Sequence, residues 1–66
     1  MSGGGGGVII IRALIKQGLS DPLVHGALPD HLKSTIDPIL AKDVNDWTVV
    51  DHKSAAHVFN WAATHG

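Results

Sequence analysis

The sequence predicts a mainly α-helical fold, a bundle of three to four short helices. Three observations carry this. Apolar residues recur at helical spacing in separate stretches, Asp-Pro pairs open elements at two places, and the chain has only 66 residues and no cysteine. A chain of this size buries only about 60% of the surface its unfolded form exposes, so it needs disulfides, a metal or a partner to be comfortably stable. Without cysteine, disulfides and thiolate zinc sites are excluded.

The run Gly3–Gly7 has no side chains to pack, so residues 1–7 read as a flexible leader and residues 8–66 as a single helical domain. From Val8 the apolar residues Val8, Ile11, Leu14 and Ile15 fall on one helical face, Lys16 suits a helix end, and Gly18 reads as a stop. The same segment holds four β-branched residues in a row. Such a run also favours a strand, so Val8–Ile11 could pair with Trp47–Val50 as a minor two-stranded ribbon.

Ser20-Asp21-Pro22 is a helix start, a capping oxygen followed by a proline whose missing N–H costs nothing in the first turn, and Gly26 closes that piece. Leu28, Leu32, Ile36, Ile39 and Leu40 then form the longest helical stripe. Pro38 lies inside it, and a proline in a helix interior costs about 3 kcal/mol. A break near Ile36 and a restart with Asp37 as cap is therefore expected, on the precedent of Asp21-Pro22. Val44-Asn45-Asp46 reads as a turn. Asp51 reads as the cap of a last helix, His52–Thr64, with Ala55, Val58, Phe59 and Ala62 on one face.

The charge balance is −1, which lacks the positive excess a nucleic-acid binder uses to displace counterions. The basic residues Arg12, Lys16, Lys33, Lys42 and Lys53 are also dispersed. The longest apolar run is far short of the roughly 20 residues a membrane span needs. No secretory signal pattern stands out, so a cytoplasmic location is expected. The five histidines, His25, His31, His52, His57 and His65, never fall three or four apart, the spacing that brings two imidazoles to one ion on a helix, so no metal or cofactor is expected. Ser, His and Asp residues show no nucleophile motif, and Asp51, His52 and Ser54 are too close in sequence to converge as a triad.

The function this implies is a small non-enzymatic protein-interaction module: an accessory subunit, an inhibitor or a self-associating assembly protein, binding another protein or itself. The expected interface residues are Ile9 and Ile10 in the first segment and Val58, Phe59, Trp61 and Ala62 in the last. A membrane-active peptide of antimicrobial type is an alternative, opposed by the near-neutral charge. A small helical nucleic-acid-binding regulator is a second alternative. Neither membrane nor nucleic acid is expected as a partner.

Overall fold

Local signals set four helices, and packing then sets their limits. The computed structural model describes residues 4–65: α1 (Gly4–Ser20), α2 (Pro22–Ala27), α3 (Asp30–Leu40), a 3-10 turn (Val44–Asp46) and α4 (Val49–His65). Among the described residues there is no strand, so the expected ribbon is absent. Val8–Ile11 lies inside α1, and Val49-Val50 form the first turn of α4. Helix propensity differs among residues by only a few tenths of a kcal/mol, and helical neighbours on both sides outweigh the β preference of four residues. The expected leader overlaps α1 at Gly4–Gly7, and residues 1–3 lie outside the described residues.

Gly18 does not stop α1, which runs two residues further. Its φ is not positive, so it is an ordinary helical residue. Its missing side chain serves packing instead: a Cβ there would come within 2.7 Å of Cε1 of Phe59. Asp21 caps α2 as expected, its Oδ1 accepting from the Leu23 N–H at 2.9 Å with Pro22 in the first turn.

The break expected in α3 does not occur. The helix is continuous from Asp30 to Leu40 with Pro38 inside it. Pro38 stands in the last turn, and the carbonyl it leaves without a helical donor belongs to Ser34, an exposed residue, so water can serve that group. Asp37 is no cap. Its Oδ1 lies 2.7 Å from Nε2 of His25 and ties α2 to α3. The two Asp-Pro pairs are alike in sequence and different in use.

The last helix starts earlier than the sequence suggests, because its cap is Thr48. Thr48 Oγ1 accepts from the Asp51 N–H at 3.1 Å, and the Thr48 N–H donates to Asp51 Oδ2 at 3.1 Å. That reciprocal pair is a capping box with an aspartate in its fourth position. Asp51 also accepts from Lys42 Nζ at 2.8 Å. The Lys42 hydrogen bond first, and the Thr48 N–H second, hold the Asp51 carboxyl below the ordinary carboxylate range. Asp43 is lowered in the same way by the N–H and side chain of Asn45, which it caps at the start of the 3-10 turn.

All these elements meet in one core of Ile15, Leu19, Leu28, Leu32, Ile36, Ile39, Trp47, Ala55 and Val58. The Trp47 indole is buried, and its Nε1–H donates to the Ile39 carbonyl at 3.0 Å, which satisfies the polar end of the ring and anchors the 3-10 turn to α3. Arg12 Nε donates to His52 Nδ1 across α1 and α4, an offset of 40 residues, and Gly18 meets Phe59 at an offset of 41. Nearly equal offsets mean that α1 and α4 run side by side in the same direction. The long axis is 40 Å against 20 and 17 Å, and the radius of gyration is 11.9 Å, above the ~11 Å of a rounder chain of this length.

Candidate functional site

Burial on α1 is decided by angle. At about 100° per residue, Ile15 and Leu19 point into the core while Gly7, Ile11, Leu14 and Gly18 run along one flank, about 90° round from them, with Ile10 further out. Of the face expected from the sequence, only Ile15 is buried; Val8, Ile11 and Leu14 are exposed. The outer arc is unusually greasy for solvent: Ile10 is 62% exposed, Leu14 59% and Ile11 51%. Phe59 borders this arc from α4, its ring seated over Gly18. Val49 and Val50 extend the exposed apolar surface at the start of α4.

Exposed apolar residues scattered singly are ordinary, but a contiguous patch marks a contact surface. Here Ile10, Ile11 and Leu14 are neighbours at three- and four-residue spacing, so the patch is continuous over a little more than one turn.

The cations of α1 are turned elsewhere. Arg12 Nη1 donates to the Trp47 carbonyl at 3.1 Å while Nε reaches His52, and Lys16 Nζ donates to the Lys42 carbonyl at 2.6 Å. Both side chains are thus spent on fastening α1 to the 3-10 turn and its flanks. A shallow groove of about 260 Å³ between the starts of α1 and α4 is lined by Val8, Arg12, Val49, His52 and Lys53.

The expected interface residues separate into three places. Ile10 and Phe59 stand on the exposed face, and Ile9 is half-buried on the other side of α1. Val58 is 1% exposed and belongs to the core, which removes it from any surface. Trp61 and Ala62 are half-buried at the other end of α4, where with Leu23, Val24, Ala27 and His65 they line a groove of about 290 Å³. There the Trp61 and His65 rings stack with centroids 4.6 Å apart. Ile11 and Leu14 are the residues that sequence reasoning missed. The one signal for them was Leu19, four beyond Ile15, which competes for the core once α1 continues through Gly18.

Among the described residues no group of three or more histidine or carboxylate side chains is placed to hold a metal ion. No helix there is long and apolar enough to cross a membrane. No family model matches the chain, and neither curated proteins nor solved structures show a significant match to it. What the geometry defines is a small all-helical bundle with an apolar face on its first helix.

Proposed function

We propose that this protein is a small non-enzymatic interaction module, an accessory or assembly subunit, that binds a protein partner through the outer face of α1 and the adjoining Phe59. One observation supports this above the rest: Ile10, Ile11 and Leu14 are each more than half exposed and contiguous. Covering one such side chain is worth roughly 1.5–3 kcal/mol, so a partner that covers three gains a substantial part of a binding energy.

A membrane surface is the weaker occupant, because interfacial helices use Lys and Arg to engage lipid phosphates. The two cations of α1 are instead bonded to carbonyls of the chain. Nucleic acid is disfavoured by the overall charge of −1. The proposed setting is the cytoplasm, which fractionation of the native host would check.

Site-specific photo-crosslinking in cells tests the reading. A photoreactive residue at Leu14 should give discrete protein adducts, and one at exposed His31 on α3 should not. Lipid adducts alone at position 14, or none at either position, would overturn it.

A further inference from the structure

We infer that the occupant of this face is a second copy of the chain, related by a two-fold axis that packs α1 antiparallel against the partner's α1. This rests on the reading of α1 as an interaction face and adds the identity of the partner.

Spacing is the first reason. Gly7, Ile11 and Leu14 fall at i, i+4 and i+7, the alternating step by which two helices interlock along a seam, and the next step, Gly18, is already covered by Phe59 of α4. Charge is the second. No ionisable residue occurs among positions 7, 10, 11, 14, 17 and 18. Lys16 lies about 180° from the middle of the stripe and Arg12 about 140°, both bonded to carbonyls. The cations Arg12 and Lys53 line the groove between the starts of α1 and α4 with Val8, Val49 and His52. A neutral seam has nothing to offer an acidic or basic partner and nothing to repel its own copy. An isologous interface requires this self-compatibility.

The third reason is the shape of the two ends. At one end Phe59 fills the space over Gly18 and remains 40% exposed. At the other, Gly7 has no heavy atom within 4 Å of where a Cβ would stand. An antiparallel pairing about a point between Arg12 and Ala13 sets Ile11 against the partner's Leu14. It also sets the ring of Phe59 toward the open surface at the partner's Gly7. Protrusion meets vacancy twice, once for each half of the two-fold.

Area sets the strength. Ile10, Ile11, Leu14 and Phe59 expose roughly 400 Å² per copy, so a pair removes at most roughly 800 Å² from water, below the ~1,200 Å² of stable specific interfaces and within the range of weak, transient ones. The pair is therefore a reversible dimer, dissociating on dilution.

Sedimentation of the full chain across the micromolar range tests this. The expected result is a concentration-dependent monomer–dimer equilibrium whose dissociation constant rises at least ~30-fold in Leu14→Asp. Ser34→Asp, at an exposed site on α3, should leave the equilibrium unchanged, and circular dichroism should show both variants as helical as the parent. Because the chain has no cysteine, an Ile11→Cys chain mixed with a Leu14→Cys chain should form a disulfide faster than either variant does alone. A monomer at every concentration overturns the inference, as does a dimer indifferent to Leu14→Asp or a Leu14→Cys chain that links fastest to itself. A monomer whose position 14 still crosslinks to a different protein in cells overturns the second copy while leaving the interaction module standing. Pelleting of monomer with phosphatidylglycerol vesicles overturns both.

Discussion

α1 and α3 carry similar aliphatic stripes and meet opposite fates. In α3 the eleven residues bury Leu32, Ile36 and Ile39, all but closed to solvent. In α1 the seventeen residues bury Ile15 and Leu19 and leave Val8, Ile10, Ile11 and Leu14 exposed. α3 turns one narrow stripe to the core and is polar elsewhere, with Asp30, His31, Lys33, Ser34, Thr35 and Asp37 on its other sides. α1 is apolar around most of its N-terminal half, and the elements packed against it close only the side that carries Ile15 and Leu19. Apolar content therefore measures how much cover a helix needs; how much it receives depends on where its neighbours sit, since α1 meets every other element and is still open along one flank.

The sharpest way to break this contrast is truncation at matched positions. Ile36→Ala should destabilise the chain by about 2–5 kcal/mol, enough to unfold much of so small a domain, whereas Leu14→Ala in the monomer should cost under ~0.5 kcal/mol. Urea melts at low protein concentration read both, and equal losses would mean that α1 is covered in a way its exposure contradicts.

Thr48→Ala removes half of the capping box that starts α4 beside the exposed face and should cost about 1 kcal/mol, again by urea melt. No change would place the start of α4 under tertiary control alone. A double-mutant cycle examines the boundary between face and core. With Phe59→Ala present, Gly18→Ala should stabilise by about 1 kcal/mol, the ordinary gain of alanine over glycine within a helix. With Phe59 present the ring must swing outward, and the gain should shrink or vanish. Additive effects would mean that the ring does not need the glycine.

The smallest effect is that of acid. Asp51 titrates lower in the folded chain than its ordinary value, so its contribution is present above that value and is lost as pH falls through the folded one. The melting midpoint should therefore decline as pH drops below about 4, and Asp51→Asn should flatten part of that decline. Because Asp51 lies near the surface, screening keeps the difference small. An unchanged acid limb in the variant would assign the loss to other carboxylates.

The mainly helical class, the stripe of α3, the cap at Asp21 and the turn at Val44–Asp46 were legible in the residues. Each depends on partners within about four positions: a side-chain oxygen reaching an N–H two or three residues on, or an apolar group repeating once per turn. Where a local reading failed, a distant residue had taken the group. Asp37 looked like a cap until His25 claimed it, Gly18 looked like a stop until Phe59 needed the room, and Thr48 displaced Asp51 as the start of α4 with Lys42 holding the aspartate from outside.

Of the expected surface residues, Ile10 and Phe59 reached the exposed face, while Val58 went to the core and Trp61 and Ala62 to the opposite groove. Sequence alone determined the mainly helical class and how much apolar surface the first segment owns, because backbone hydrogen bonding and side-chain period are local, but it left Val8–Ile11 and Trp47–Val50 open to a ribbon. Which side of α1 faces water was decided only by the tertiary structure. The packing of α1 against α4, across 40 residues of chain, and against the other elements that meet in the core selects Ile15 and Leu19 for the interior and leaves Ile10, Ile11 and Leu14 outside.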